Sequence, residues 1–214
     1  MTSRDRRLTL ILRRRLASAG VDTAWFFARA HEVVVFGSRA AGVESRGSDL
    51  DVLVVGELVR LKRGGLDVIP VAPDLLDTHE WLHSELATHI AKYGVWLSGC
   101  GSWRNKARVG ASAVARKERR LRSLVAAVSR SWISIHPSFR LRHALTIRRE
   151  LQRLALLNDG RPVPPTRLLH ACPGSESVLA TIGRLGLGSQ LPDGLLAAII
   201  DGAHASSCHA PSRR

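Results

Sequence analysis

The chain has 214 residues, 45% of them hydrophobic, and a mean hydropathy near zero, so it can bury a sizeable core and is not wholly disordered. The formal net charge is +14. No apolar run approaches the ~20 residues of a membrane span, which excludes a membrane-spanning helix and predicts no membrane partner.

Cysteine usage indicates a reducing compartment. Cys100, Cys172 and Cys208 are far apart and form no CxxC or Cys/His cluster, which argues against a disulfide framework and a zinc module. We therefore expect a cytoplasmic protein. Arg13, Arg14 and Arg15 interrupt the apolar stretch near the N-terminus, so that segment predicts an amphipathic helix over residues 4–19 rather than a signal peptide.

The rest of the first half alternates short helical and strand patterns. β-branched runs predict strands at 33–36, 50–55 and 66–71, followed by a short strand at 93–97. Gly64-Gly65 predicts a hairpin turn before the third of these strands. Helices are expected at 24–30, from Ser38 to Gly42, and at 79–92.

The second half has helical spacing and no convincing strand. Helices are predicted at 112–131, 139–157, 175–185 and 192–201. The expected organisation is a first domain over residues 1–98, a basic α-helical domain over 99–202, and a disordered tail over 203–214. The fold class is α+β.

The most informative stretch runs from Val33 to Val55 and contains two carboxylates separated by one residue. Asp49 and Asp51 stand at the start of a strand, where residues i and i+2 share a face. Two unpaired carboxylates there would repel each other, and each would resist ionisation. Mg²⁺, which takes one or two carboxylates together with phosphate oxygens, would relieve that repulsion.

The full pattern is G-S-x(3)-G-x(5)-S-D-x-D-x-x-V, in which Gly37 and Ser38 precede the acids. It resembles the DNA polymerase β-like nucleotidyltransferase superfamily, in its minimal and antibiotic-modifying branches. The resemblance implies a small mixed β-sheet flanked by helices as a catalytic head, with a helical bundle appended. It also implies an enzyme that transfers a nucleoside monophosphate from a nucleoside triphosphate, with ATP as the favoured donor, and releases pyrophosphate.

A third acid strengthens the resemblance. Asp67 lies within the apolar run Leu66–Val71, where by itself it would be interpreted as a solvent-facing charge at a strand edge. The family places a third acid on this strand, so the resemblance implies that Asp49, Asp51 and Asp67 bind two Mg²⁺ ions, or Mn²⁺. It also makes Asp67 the residue that assists deprotonation of the acceptor hydroxyl.

The same resemblance identifies candidate nucleotide-binding residues. Gly37 would allow the backbone to approach the triphosphate, and Ser38 would offer its hydroxyl and N–H to the phosphate oxygens. Arg39 and Arg46 flank the site in sequence, and Ser48 either contributes to nucleotide binding or caps the loop. The alternative for Gly37-Ser38 is a plain tight turn.

Charge is divided unevenly between the two halves and bears on the acceptor. Residues 1–98 hold 13 Lys/Arg and 12 Asp/Glu, whereas residues 99–214 hold 19 and 6. A basic second half is unsuited to a polycationic aminoglycoside, and it favours RNA, such as tRNA, or an acidic protein as the acceptor. Either acceptor would fit a toxin–antitoxin or phage-defence pair.

Two rival functions remain open from sequence. One is a catalytically idle protein of the same fold that binds a partner as an antitoxin or regulator; the other, less favoured, is an antibiotic adenylyltransferase. The sequence leaves open the preferred base, the number of nucleotides added and the oligomeric state.

Overall fold

A computed structural model of the protein describes residues 2–169 and 174–207, with the backbone alone described for 202–207. The chain divides into two compact units between Val109 and Gly110. Within the described residues, no helix is both long and apolar enough to cross a membrane.

The first unit is a five-stranded mixed sheet with helices on it, which confirms the α+β fold class. Its helices are α1 (Ser3–Ser18), α2 (Thr23–Ala28), α3 (Gly37–Ala41), α4 (His79–Leu82) and α5 (Glu85–Tyr93). Its strands are β1 (Ala30–Phe36), β2 (Leu50–Gly56), β3 (Leu61–Arg63), β4 (Leu66–Val71) and β5 (Val95–Ser98). Ser84 divides the single helix predicted at 79–92, because its hydroxyl accepts a hydrogen bond from the backbone of Ala87 and caps α5.

The strand order is β3-β4-β2-β1-β5, with β2 and β4 parallel and every other neighbouring pair antiparallel. β1 and β2 form the centre of the sheet, and their valines are fully buried, as expected for strands covered on both faces. One face packs against α1 through Leu8, Leu12 and Leu16, which recur every four residues along the helix. The other face packs against α5 and Trp103.

The first unit continues past residue 98, where the sequence places the domain boundary. The carboxylate of Glu32, buried on β1, accepts hydrogen bonds from the indole N–H groups of Trp96 (3.3 Å) and Trp103 (3.1 Å) and from Gly101 N (2.9 Å). Trp103 is itself fully buried. Since a buried carboxylate needs such donors, these bonds hold Gly101 and Trp103 against the sheet, and the first unit extends to Val109.

The second unit is helical, as predicted. It consists of α6 (Ala111–Ser131), α7 (Pro137–Asn158), α8 (Thr166–Leu169), α9 (Ser175–Arg184) and α10 (Asp193–Ser207). Leucines, isoleucines and valines of α6, α7, α9 and α10 form its core. The predicted disordered tail begins inside α10, and its part from 208 to 214 lies outside the described residues, as does Cys208.

Candidate active site

Two of the three predicted acids face each other across neighbouring strands. β2 and β4 are parallel and in register, so that Asp51 pairs with Asp67. The register begins where Leu50 N donates to Gly65 O at 2.8 Å, directly after the Gly64-Gly65 turn. Paired residues of adjacent strands lie on the same face of a sheet. The two carboxylates therefore share one face, although 16 positions separate them in the sequence.

Burial increases along this row of acids. Asp49, one residue before β2, is exposed; Asp51 is partly buried and Asp67 is buried. Burial, followed by the negative charges of Asp67 and Asp49, raises the pKa of Asp51. The charges of Lys62 and Arg39 oppose that rise. Asp67 and Asp49 thus act electrostatically on Asp51, as expected for neighbouring carboxylates.

Gly37 packs directly against this cluster. It follows β1 with a φ of +72°, a left-handed conformation that favours glycine, and a Cβ at this position would overlap Asp51 Oδ2. The structure thus adds a reason for this glycine, namely the space that the Asp51 carboxylate occupies. Ser38, the next residue of α3, is half-buried, and its hydroxyl makes no hydrogen bond within the described part of the chain.

Arg39 and Ser48 brace the loop that carries the first acid. The Arg39 guanidinium donates from Nε (3.1 Å) and from its second terminal nitrogen (2.7 Å) to the carbonyl oxygen of Ser48. The Ser48 hydroxyl accepts a hydrogen bond from Ser45 N at 2.8 Å. Both side chains therefore have defined structural roles beside Asp49. Their contact with a nucleotide stays a prediction, as does that of Arg46, which is exposed in the same loop.

A small cavity lies beside this loop and is distinct from the acids. Its volume is about 120 Å³. Guanidinium groups give it a cationic lining, which consists of Arg4, Arg7 and Arg39 with Leu8, Ile11, Gly42 and Glu44. Part of that charge is compensated, because Arg7 pairs with Glu44 at 3.2 Å.

The structure also brings two cations to Asp67 that the motif analysis did not identify. Arg60 contacts both carboxylate oxygens (3.1 and 3.3 Å), and Lys62 Nζ lies 3.4 Å from Oδ2. Lys62 belongs to β3, a three-residue strand that was not predicted, and pairs with Asp67 in the antiparallel register. The signal was present in the sequence, since a two-residue turn at Gly64-Gly65 sets position 62 opposite position 67.

The acids fit a hard divalent cation, although incompletely. Asp51 accepts no hydrogen bond in the described chain, and burial, followed by the negative charges of Asp67 and Asp49, raises its pKa. Carboxylate oxygens are the ligands that Mg²⁺ prefers, and one or two suffice where phosphates supply the others. Among the described residues, no three His, Cys, Asp or Glu side chains are grouped so as to hold a metal ion by themselves.

Comparison with known families agrees with this geometry. Residues 25–97 match the family described as nucleotidyltransferase domain, over about a third of the chain. This segment is therefore similar to nucleotidyltransferase domains. The match is consistent with the polymerase β-like superfamily and spans β1, α3, β2, β3 and β4, hence all three acids. The match is evidence for a general activity that transfers a nucleoside monophosphate, and it implies a nucleoside triphosphate as the substrate. A comparison with curated protein sequences gives no match.

Outside the matched segment, several arginines of the basic clusters stabilise the second unit. Arg148 is buried and donates to the carbonyls of Ile199 (2.7 Å) and Ile200 (2.9 Å), and burial lowers its pKa. Lys117, also buried, pairs with Glu150 at 3.0 Å. Arg119 and Arg120 differ, because both are exposed on α6 and form no ion pair or hydrogen bond within the described residues.

Proposed function

We propose that the protein is a Mg²⁺-dependent nucleotidyltransferase that moves AMP from ATP to a hydroxyl group of RNA, with release of pyrophosphate. One observation carries the reaction type: Asp51 and Asp67 are in register on parallel strands, with Asp49 beside them and Gly37 against Asp51. This arrangement concentrates negative charge next to a glycine turn and an unengaged serine hydroxyl. Such a site suits a divalent cation and a triphosphate.

Asp49 and Asp51 would hold Mg²⁺, with Asp67 as a further ligand. When bound, the ion would supply positive charge to the phosphate oxygens on which negative charge develops. Mn²⁺ has similar preferences for oxygen ligands and is expected to substitute for it.

The chain's own groups would perform the remaining work. Ser38 would donate a hydrogen bond from its hydroxyl group to a phosphate oxygen, and Gly37 would leave that approach free of a side chain. Asp67 would take the proton of the acceptor hydroxyl as the acceptor oxygen bonds to the α-phosphorus. The bond from the α-phosphorus to the bridging oxygen of the β-phosphate then breaks, and pyrophosphate leaves.

Charge supports RNA as the acceptor. Residues 99–214 carry 19 Lys/Arg and 6 Asp/Glu, and Arg119 and Arg120 offer exposed guanidinium groups on one helix. Cations that have no internal partner are available for backbone phosphates. An acidic protein acceptor is the other outcome of the test below. A role in a toxin–antitoxin or phage-defence pair stays a prediction.

The test is a transfer assay with each α-³²P-labelled nucleoside triphosphate, Mg²⁺ and either total RNA or protein lysate. We expect ATP to label RNA, and we expect Asp51→Asn to reduce labelling by at least about 100-fold. Asp74→Asn, which changes an exposed acid outside the site, is the matched control and should label normally. A labelled protein band would replace RNA as the acceptor. If neither RNA nor protein is labelled above the Asp51→Asn background, the enzyme proposal is wrong. The catalytically idle protein of the same fold is then favoured.

A further inference from the structure

Asp67 has two counter-ions from a single short segment. Arg60 lies just before β3 and Lys62 within it, and together they contact both oxygens of the Asp67 carboxylate at 3.1 to 3.4 Å. The Asp67 side chain is 12% exposed, whereas those of Arg60 and Lys62 are 58% and 68% exposed. A largely buried acid is thus neutralised by two cations whose own side chains remain mostly in water.

These cations belong to the same row of the sheet as the acids. Lys62 pairs with Asp67 across β3 and β4, and Asp67 pairs with Asp51 across β4 and β2. One cation and two acids therefore occupy consecutive positions on one face. Asp51, farther from the edge, has no ion pair among the described residues, so the positive charge acts mainly on Asp67.

We propose that Arg60 and Lys62 serve as counter-ions of Asp67 in the metal-free protein and release its carboxylate when a divalent cation binds at the acids. The link to nucleotidyl transfer rests on the proposed function. The counter-ion role itself rests on the solvent exposure of Arg60 and Lys62. Ion pairs with exposed partners are weak, so little free energy is needed to break them. A divalent cation carries the charge of both side chains at once and competes for the same oxygens.

The competition has a measurable consequence that a purely structural ion pair does not share. Removing the two cations leaves the acids more negative and frees the Asp67 oxygens, so affinity for a divalent ion should increase. If the pairs merely supported a metal site by holding Asp67 in place, their removal would weaken metal binding. The sign of the change thus separates the two roles.

The test compares the full-length Arg60→Gln, Lys62→Gln double variant with a charge-matched control, Arg14→Gln with Arg63→Gln. Arg63 follows Lys62 on β3 and Arg14 lies on α1; both are exposed, and neither has an ion pair or side-chain hydrogen bond within the described chain. Mn²⁺ binding without nucleotide is measured by electron paramagnetic resonance. We expect the double variant to bind Mn²⁺ about threefold to tenfold more tightly than the control, the range for loss of one or two exposed ion pairs.

A second readout is the melting temperature in EDTA and in Mg²⁺. The double variant should melt lower in EDTA and gain more from Mg²⁺ than the control does. Arg60→Lys with Lys62→Arg keeps both charges and should restore wild-type Mn²⁺ affinity. If the double variant does not fold, the single variant Lys62→Gln is compared with Arg63→Gln. We again expect the variant at position 62 to bind Mn²⁺ more tightly.

Mn²⁺ affinity equal to or weaker than that of the control would overturn the proposal, and so would absence of Mn²⁺ binding in every variant. Failure of the proposed function is distinguishable, because it shows as absence of labelled product. Tighter Mn²⁺ binding by the double variant would support the counter-ion role even in that case.

Discussion

Gly37 lies so close to Asp51 that a side chain at position 37 would displace the Asp51 carboxylate. A Cβ there would overlap Asp51 Oδ2, and φ at Gly37 is +72°. The glycine at the end of β1 and the second acid of the motif therefore form one structural unit, joined by the antiparallel pairing of Phe36 with Asp51. This relationship yields a test that separates backbone strain from displacement of the acid.

Gly37→Ala should reduce both stability and activity, whereas Gly20→Ala should reduce stability alone. Both glycines have left-handed φ, +72° and +78°, and a side chain in that conformation costs about 1–2 kcal/mol. Only at Gly37 does the new methyl group meet a carboxylate, since the space around Gly20 is open. We expect kcat/KM to fall about 100-fold for Gly37→Ala, because a misplaced catalytic group has effects of that size. Equal activity of the two variants would contradict the assigned contact.

The pH dependence of stability should report on Asp51. Burial and the charges of Asp67 and Asp49 raise the pKa of Asp51, so the folded protein binds this proton more tightly than the unfolded chain. Protonation at low pH therefore stabilises the fold, and ionisation above the raised pKa lowers its stability. In EDTA, Asp51→Asn should melt higher than wild type at pH 7, by about 2–4 °C for each kcal/mol of relieved repulsion.

The difference in melting temperature between Asp51→Asn and wild type should shrink as pH falls through that pKa. Differential scanning calorimetry from pH 3 to pH 8 measures it. Asp74→Asn serves as the control and should show no such pH-dependent gap, because Asp74 is exposed outside the acid row. A constant gap for Asp51→Asn would show that the charge of Asp51 is not the cause.

Glu32→Ala should destabilise the first unit. The substitution leaves the indole N–H groups of Trp96 and Trp103 and the backbone N–H of Gly101 without their acceptor, at a cost of about 3 kcal/mol. Glu32→Gln keeps one acceptor oxygen and should lose less. Thermal unfolding followed by tryptophan fluorescence measures both, with the exposed Glu57→Ala as control. A loss of stability as small as that of the control would show that Glu32 does not hold Gly101 and Trp103 against the sheet.

Arg119→Gln with Arg120→Gln should weaken RNA binding in a salt-dependent manner. Each guanidinium that contacts a phosphate contributes about 0.7 to 0.9 to the slope of log K against log salt, so the slope should fall by about 1.5. Fluorescence anisotropy with a labelled tRNA between 50 and 200 mM KCl measures this. Arg6→Gln with Arg14→Gln removes the same charge from exposed positions of α1 and should leave the slope unchanged. Equal slopes for both double variants would remove α6 from the RNA interface.

Much of the fold followed from local patterns. The strands at residues 50–55 and 66–71 were predicted nearly to their ends, because each is a β-branched run bounded by glycine or polar residues. The strand predicted at 33–36 begins three residues earlier, at Ala30. The long helices α6 and α7 were likewise predicted to within two residues. β3 was missed, since three residues with two exposed cations carry no hydrophobic signal. The break between α4 and α5 was missed because Ser84 interrupts a helical pattern only through its capping hydrogen bond.

The sequence by itself determined the chemistry of the site: paired acids after a glycine-serine turn, and a third acid in the next apolar run. These are properties of residue type and spacing along one strand and one turn, so they can be read without a fold. Tertiary structure decided which of the charges meet, although the Gly64-Gly65 turn already indicated that position 62 faces position 67. The parallel register of β2 and β4 places Asp51 beside Asp67, and the hairpin places Arg60 and Lys62 on Asp67. The tertiary structure also decided that Arg39 and Arg148 donate hydrogen bonds to backbone carbonyls. Carbonyl groups removed from water need donors, and sequence spacing does not reveal which side chain supplies them.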